Sequence, residues 1–154
     1  RALAVSPEIV VCDESVAALD VSIQAQIINL FLDLRKNMNL TYLFISHDMG
    51  VIEHIADRIV VMYLGQVVEI ASTNEIIHQT NHPYTKALLS GVPTLDTTRK
   101  MYEPIKGEIP SPLNPPSGCY FHPRCKFATE KCKVEKPLFK EIASNHFSAC
   151  HLND

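Results

Sequence analysis

The sequence contains no glycine followed by lysine, no long apolar run and no leader-like N-terminus. Its five glycines precede valine, glutamine, valine, glutamate and cysteine, so the Gly-Lys-Ser/Thr loop that cradles phosphates in many nucleotide-binding proteins is absent from it. No apolar stretch approaches the roughly 18 residues of a membrane-spanning helix. The first residues show neither an initiator methionine nor the charged and apolar regions of a signal peptide. These absences exclude a membrane span, and we expect the sequence to begin within a longer protein.

Positive charge is also scarce, which bears on the class of partner. The 154 residues carry a formal net charge of −3, with 46% hydrophobic and 20% charged residues. This composition is typical of a globular protein, and it lacks the basic footprint that nucleic-acid binding normally requires. We therefore expect no nucleic acid as a partner, and any association with a membrane to depend on another protein.

Short β-rich runs alternate with helical patterns through the first part of the chain. The sequence predicts strands at 8–12, 41–45 and 58–63 and helices at 22–36 and 49–56. This alternation is typical of an α/β fold with a parallel sheet, and β-branched residues on both faces predict that the first strand is buried. Leu64-Gly65 predicts a hairpin at the sheet edge, joining the third strand to a strand at 66–70.

Two short helices and a change of composition follow. A capping box over Ser72–Glu75 and a proline at Pro83 each predict a helix start, the second helix ending near Gly91. Six of the ten prolines then fall between residues 93 and 116. We predict three parts: an α/β domain at 1–92, a Pro-rich linker at 93–117 and a cysteine-bearing module at 118–154.

Polar side chains follow two neighbouring predicted strands at the point where each strand ends. Asp13 and Glu14 follow the first strand, and Ser46-His47-Asp48 follows the second. Ligands of open α/β sheets bind at the carboxyl ends of strands, where one carboxylate could bind Mg²⁺, another orient a water, and a histidine donate to a phosphate. Taken singly, these residues also fit solvated strand ends and helix caps. Their order and spacing favour a site for phosphoryl transfer.

Four of the five cysteines lie close together near the C-terminus. Their spacing is Cys119-x5-Cys125-x6-Cys132-x17-Cys150, whereas Cys12 lies in a predicted strand and is expected to be a buried core residue. Four thiolates suit an iron–sulfur cluster or a tetrahedral zinc ion, and the spacing alone does not choose between them. Unliganded or oxidised thiols are the third reading. Three histidines are possible substitute ligands, which keeps zinc open: His122, His146 and His151.

Several strings resemble the ATP-binding subunits of ABC transporters, and in particular the branch that powers oligopeptide and dipeptide uptake. Residues 1–4 are similar to the helix after the family's signature motif, 9–14 to its Walker B strand, 17–20 to its D-loop, and His47 to its switch histidine. The strings at 43–48, 56–58, 61–65 and 82–89 resemble the peptide-importer branch. Ser15 and Ala17 stand where the family usually has proline and serine. The resemblance implies the C-terminal half of a RecA-like ABC ATPase domain with a parallel sheet.

The resemblance also implies a role for each candidate residue. Asp13 would help to hold Mg²⁺ and Glu14 would polarise the attacking water. His47 would contact the γ-phosphate of ATP, with Ser46 beside it in the nucleotide site, and Asp20 would act across the interface between two ATPase subunits. For the cysteines, the resemblance favours a [4Fe–4S] cluster on Cys119, Cys125, Cys132 and Cys150, with zinc as the alternative.

The activity implied is that of a transport-coupled ATPase on the cytoplasmic face of the cell membrane. Its expected partners are a second ATPase subunit, identical or different, two transmembrane permeases and, indirectly, a peptide-binding protein. Because the sequence lacks the phosphate loop and the signature motif, we expect this chain by itself to be inactive. The alternatives are an ABC-type ATPase acting on nucleic acid or ribosomes, an importer of nickel or another small solute, and a metal-dependent binding module with a vestigial ATPase remnant.

Overall fold

The computed structural model describes residues 2–92 and 104–154, which form two compact units, Arg1–Ala56 and Asp57–Asp154. Residues 93–103, at the start of the predicted linker, lie outside the described residues. Among the described residues, no helix combines the length and apolarity needed to cross a bilayer. Each unit is described by itself.

The first unit is a β-α-β arrangement followed by a short helix. After a 3-10 helix at Ala2–Val5, its elements are β1 (Ile9–Asp13), α1 (Val21–Met38), β2 (Thr41–Ile45) and α2 (Met49–Ile55). Strands β1 and β2 pair in parallel, with Ile9 opposite Thr41 and Asp13 opposite Ile45. The parallel sheet predicted from the sequence is therefore confirmed for this pair of strands.

The core of the first unit lies between the two helices and one face of the sheet. Helix α1 contributes Ile28 and Phe31, and the Phe31 ring makes edge-on contacts with Tyr42 and Phe44 of β2 at centroid distances of 5.5 and 5.8 Å. Apolar residues spaced three or four apart place these side chains on one helix face. Cys12 is only 4% exposed, which confirms its predicted place in the core.

Strand β1 is not buried on both faces, contrary to the prediction. Ile9 and Val11 are 63% and 61% exposed, and on β2 both Leu43, which lies opposite Val11, and Ile45 are exposed as well. Side chains alternate between the two faces of a strand, and helix α1 packs on the opposite face. Nothing in the described part of the chain covers the face that Ile9 and Val11 share.

The second unit contains a four-stranded antiparallel sheet in the order β3-β4-β6-β5. The bounds of its elements are β3 Arg58–Tyr63, β4 Gln66–Ser72, α3 Thr73–Gln79, α4 Pro83–Ser90, α5 Glu130–Val134, β5 Lys140–Ala143 and β6 His146–Ser148, with 3-10 helices at His122–Arg124 and His151–Asn153. Leu64 and Gly65 both have positive φ, 46° and 74°, as a two-residue hairpin turn requires. The hairpin of β3 and β4 is confirmed.

The sheet to which this hairpin belongs differs from the prediction. Strand β4 pairs on its other side with β6, through Glu69 opposite Ser148 and Ile70 opposite Phe147. The hairpin therefore belongs to an antiparallel sheet that the C-terminal strands complete, with β3 as its edge strand. The reason is that β4 offers its free edge to β6, a pairing between residues almost 80 positions apart that no local pattern reveals.

Candidate functional site

The first candidate site lies where β1 and β2 end. Asp13 is the last residue of β1 and stands opposite Ile45, the last residue of β2. The backbone N–H of Glu14 donates to the Ile45 carbonyl at 3.0 Å, and Glu14 has a φ of 48°. A positive φ is uncommon for a residue with a side chain, so the chain turns sharply at Glu14. Both carboxylates are thereby held at the carboxyl end of the parallel pair.

Glu14 and His47 contact each other across the two strand ends. The Nδ1 of His47 donates to Oε1 of Glu14 at 3.0 Å, although the residues are 33 positions apart in sequence. Both side chains are open to solvent, with exposed fractions of 44% for Glu14 and 79% for His47. The hydrogen bond to Glu14 and then the charge of Glu14 raise the pKa of His47 above its usual value. Two residues singled out in the sequence are therefore neighbours in the fold.

The other predicted nucleotide-site residues have separate local roles. Ser46 accepts a hydrogen bond from the Asp48 backbone N–H at 3.1 Å, and Asp48 caps α2 by accepting from Gly50 N and Val51 N at 2.9 and 3.2 Å. Asp20 occupies the N-cap position of α1, but its side chain accepts no hydrogen bond from the helix. Within residues 2–92 and 104–154, no hydrogen bond joins Ser46 or Asp20 to the Glu14–His47 pair.

The second candidate site is a cavity in the second unit. It measures about 40 Å³, and all four C-terminal cysteines line it together with His82, Phe121 and His122. A cavity needs roughly 10–15 Å³ to hold one water, so this space exceeds that of a single water molecule. The clustering predicted from the sequence thus corresponds to one place in the fold, to which residues 119, 125, 132 and 150 all contribute.

The cavity depends on a close approach between residue 118 and helix α5. The Cys119 N–H donates to the Cys132 carbonyl at 2.8 Å, and the Ser117 hydroxyl donates to the Lys133 carbonyl at 2.7 Å. Gly118, between them, has a φ of 64°, and a methyl group there would overlap the Cys132 carbonyl oxygen. Only glycine allows this positive φ and this contact together.

All five cysteines, each in the described part of the chain, carry free thiols. Burial raises the pKa of Cys119, Cys125 and Cys150, and the charges of neighbouring cysteines raise it further. Within residues 2–92 and 104–154, no three histidine, cysteine or acidic side chains converge closely enough to hold a metal ion as they stand. Four cysteines that line one small cavity are nevertheless residues of the type that thiolate metal sites use.

Hydrogen bonding separates the three histidines proposed as substitute ligands. Both ring nitrogens of His151 face acceptors, the Asp154 carboxylate at 2.8 Å and the Glu135 carbonyl at 3.0 Å, so a metal would have to displace one of these contacts. His146 lies away from the cavity and donates Nε2–H to the buried Glu69 at 2.8 Å. His122 donates only Nδ1–H, to the Cys119 carbonyl at 2.9 Å. Of the three, only His122 both lines the cavity and keeps a ring nitrogen for a metal.

No pattern in the sequence predicted the buried carboxylate of Glu69, which has no exposed surface. It accepts hydrogen bonds from Thr80 Oγ1, Asn81 N, His82 N and His146 Nε2 at 3.1, 2.6, 3.1 and 2.8 Å. Burial raises the pKa of Glu69, but the nearby Thr85 side chain and the hydrogen bonds from Asn81 N, His146 and His82 N outweigh burial and lower it. Glu69 thus fixes the segment between α3 and α4 against β4 and β6.

The chain is similar to known proteins over nearly its whole length. Residues 68–132 match the family described as "Oligopeptide/dipeptide transporter, C-terminal region". The chain is 53% identical over 155 residues to the oligopeptide transport ATP-binding protein AppF of Bacillus subtilis, covering 99% of this chain and 47% of that protein. It is 50% identical over 153 residues to the oligopeptide transport ATP-binding protein OppF of Haemophilus influenzae, covering 97% of this chain and 46% of that protein. Over nearly its whole length, this chain is therefore similar to about half of each of these oligopeptide transport ATP-binding proteins.

The oligopeptide transporter match and the relatives cover different parts of the chain. The family match extends from β4 through Cys132, so it includes Glu69, His82 and three of the four clustered cysteines. The relatives extend over nearly all of this chain, including Glu14 and His47, and the chain spans about half the length of the curated relatives it matches. The similarity to the relatives therefore extends over both units.

Proposed function

We propose that this chain is part of an ATP-hydrolysing subunit that energises the import of oligopeptides or dipeptides across the cytoplasmic membrane. The observation that carries this proposal is the 3.0 Å hydrogen bond between Glu14 and His47 at the ends of two parallel strands. The names of the relatives, which are oligopeptide transport ATP-binding proteins, support the choice of cargo. The activity belongs to the whole subunit, of which this chain is about half by comparison with those relatives.

In the proposed reaction a water attacks the γ-phosphate of ATP. His47 occupies one carboxylate oxygen of Glu14, which leaves the other oxygen to accept a proton from the water and orient it. His47 then lies beside the attacked phosphate and stabilises the charge that develops on its oxygens. The raised pKa of His47 favours the protonated ring, which strengthens this interaction. The outcome is bond formation from water to phosphorus and departure of ADP.

The remaining candidate residues bind rather than react. Asp13 ends β1 with an exposed carboxylate, and carboxylate oxygens are ligands that Mg²⁺ prefers, so Asp13 is the proposed Mg²⁺ residue. The ion supplies charge neutralisation on the phosphates when bound. Ser46 is proposed to lie beside the nucleotide, and Asp20, exposed and not used in capping α1, to act across the interface with a second ATPase subunit.

The proposed location and partners follow from this function. The subunit is proposed to lie on the cytoplasmic face of the membrane as a peripheral protein, bound to transmembrane permeases. A second ATPase subunit would complete the nucleotide sites, and a peptide-binding protein would deliver the cargo. The formal charge of −3 gives no support to a nucleic-acid partner.

We also propose that the four cysteines hold a [4Fe–4S] cluster, with zinc as the alternative. Cys119, Cys125, Cys132 and Cys150 would supply the four sulfur ligands, as either centre requires. The bound centre would tie residues from four separate segments together, and a cluster would add a one-electron redox centre. Anaerobic purification with a visible spectrum and with iron and zinc analysis distinguishes the two, since a colourless, zinc-loaded protein excludes the cluster.

The transport function is tested by replacing Glu14→Gln in the gene that encodes the subunit, in the cell of origin. Labelled oligopeptide uptake is expected to fall at least a hundredfold, because a carboxamide cannot accept the proton of water. The matched control is Glu53→Gln, an exposed glutamate of α2, which is expected to leave uptake unchanged. Normal uptake by the Glu14→Gln strain, with the subunit present at normal abundance, would contradict the proposal.

A further inference from the structure

His82 lies beside the cysteine cavity, far in sequence from the cysteines themselves. It is the N-cap residue of α4 and is 1% exposed, and its ring lines the same cavity as the four thiols. The ring also packs against Phe121, at a centroid distance of 5.9 Å. Nothing in the proposed transport mechanism uses this buried polar side chain.

The hydrogen bonds of His82 determine where its ring proton is. Nδ1 accepts a hydrogen bond from the Tyr84 backbone N–H at 3.1 Å, so Nδ1 carries no proton. The ring is therefore neutral with its single proton on Nε2, and burial, which lowers the pKa of His82 to about 4, agrees with this. Among the described residues, Nε2 has no hydrogen-bond acceptor. His82 thus presents an N–H donor, and not a metal-binding lone pair, to its surroundings.

The position of the ring is fixed from two directions. The His82 backbone N–H donates to Glu69 Oε2 at 3.1 Å, and Glu69 is itself held by His146 of β6 at 2.8 Å. The side chain is tied at the same time to the first turn of α4 through Tyr84. A donor held by its backbone and by one ring nitrogen has little freedom to turn away from the cavity.

The thiols supply the missing acceptor only when a metal is bound. A neutral thiol is a weak hydrogen-bond acceptor. A metal-bound thiolate carries negative charge, and hydrogen bonds to charged acceptors are about twice as strong as neutral ones. The Nε2–H of His82 is a donor that could form such a hydrogen bond to a metal-bound thiolate.

We propose that His82 Nε2–H donates a hydrogen bond to a sulfur atom of the metal-loaded cysteine cavity and so sets the affinity of the site for its metal. This inference rests on the proposed metal site. It makes His82 a positioning residue that joins the metal site to α4 and, through Glu69, to β4 and β6. It also gives the buried glutamate a function beyond packing.

The test uses the full chain loaded with ¹¹³Cd²⁺, a thiolate-binding metal whose nucleus is observed directly. In the unaltered chain we expect the His82 Nε2–H resonance to shift on loading, to exchange slowly with water and to show coupling to ¹¹³Cd. The variant His82→Asn keeps an N-cap acceptor for Tyr84 but withdraws the ring N–H. It is expected to bind ¹¹³Cd²⁺ about 10–100-fold more weakly, the usual cost of removing an outer partner of a metal ligand.

The matched control is His78→Asn, an exposed histidine of α3 that does not line the cavity. It should leave both the affinity and the ¹¹³Cd resonance unchanged. Cadmium binding with no response of the His82 ring proton, or with equal affinity in His82→Asn and unaltered chains, would overturn the inference but leave the metal site standing. Failure of the unaltered chain to bind cadmium at the cysteines would overturn both. If His82→Asn does not fold, the ring-proton measurement on the unaltered chain decides alone.

Discussion

At the scale of single residues, the contact between Glu14 and His47 depends on one backbone turn. The positive φ of Glu14 follows directly on the last paired residue of β1, and it brings the carboxylate within 3.0 Å of His47. Positive φ is strained for a residue with a side chain, and such strain is concentrated at functional sites. The strained backbone of Glu14 therefore supports its proposed role.

The same contact predicts how His47 titrates. The hydrogen bond to Glu14 raises the pKa of His47, so the charged pair is fully formed at pH below the ordinary histidine pKa and is lost as pH rises through the higher, folded value. The ordinary pKa of a histidine ring is about 6.5, and an NMR titration of His47 should give a pKa above that value. In the variant Glu14→Gln the pKa should fall back toward that range.

The control for this titration is Glu53→Gln, which removes an exposed carboxylate of α2 and should leave the His47 pKa unchanged. Equal His47 pKa values in the Glu14→Gln variant and the unaltered chain would show that the pair does not form in solution.

The two classes of site residue differ in how far the sequence predicts them. Glu14 and His47 follow parallel strands, so a rule about strand ends was enough to place them together. Glu69 lies in a strand, and its partners are 11 to 77 residues away, which leaves no local pattern to read. Its burial follows from the pairing of β4 with β6, which is itself a long-range event.

At the scale of elements, local signals predicted the starts of helices well. The capping box is present, with Ser72 Oγ accepting from Glu75 N at 3.3 Å and Ser72 N donating to Glu75 at 3.2 Å. Helix α4 begins at Pro83, as the missing N–H of proline favours. The short elements α5, β5 and β6 were not predicted, because runs of three to five residues have too little periodicity to be recognised.

Two glycines with positive φ allow the contact at Gly118 to be tested against a matched control. A methyl group at Gly118 would lie 2.8 Å from the Lys133 carbonyl carbon, besides overlapping Cys132 O, whereas one at Gly65 would meet nothing within 4 Å. Gly65→Ala should cost only the strain of a positive φ, about 1 kcal/mol. Gly118→Ala should cost about 2 kcal/mol more, because the backbone of α5 must move.

The measurement is the rate at which Cys119 and Cys132 are alkylated along a urea series, read by mass spectrometry. Gly118→Ala should expose these thiols at lower urea than Gly65→Ala does. Identical urea midpoints for the two variants would mean that the close approach at Gly118 contributes nothing to the stability of the cavity.

The hydrogen bonds to Glu69 predict that the segment between α3 and α4 becomes less stable in acid. The folded pKa of Glu69 is lowered, so its contribution to stability is present above the unfolded glutamate pKa, about 4.3, and is lost as pH falls through the folded value. Glu69→Gln replaces an acceptor oxygen by a donor facing other donors, and should cost about 2–4 kcal/mol.

Hydrogen exchange at the Asn81 and His82 amides measures this directly, because both amides donate to Glu69. Their protection should fall in acid in the unaltered chain, and should be low and independent of acid in Glu69→Gln. The control Glu108→Gln removes an exposed carboxylate and should leave their protection intact. If these amides stay protected from exchange in Glu69→Gln, the carboxylate does not stabilise the segment between α3 and α4.

At the scale of the whole molecule, the chain contains one part of the proposed nucleotide site and lacks another. It contains the acidic residues and the histidine at the ends of β1 and β2, whereas no Gly-Lys-Ser/Thr sequence occurs anywhere in it. In phosphoryl transfer the loop backbone and its lysine neutralise the phosphates, while the acids act on Mg²⁺ and water. Most of the binding energy for ATP should therefore be missing from this chain.

Calorimetric titration of the chain with Mg-ATP checks this expectation. We expect no binding in the micromolar range, because Asp13, Glu14 and His47 contact only the metal, the water and one phosphate in the proposed site. An intact oligopeptide transport ATP-binding relative, titrated under the same conditions, is the positive control and should bind. A micromolar Kd for this chain would mean that other groups within residues 1–154 bind the phosphates of ATP. The proposal that phosphate binding depends on the phosphate loop, and not on the residues at the strand ends, would then be wrong.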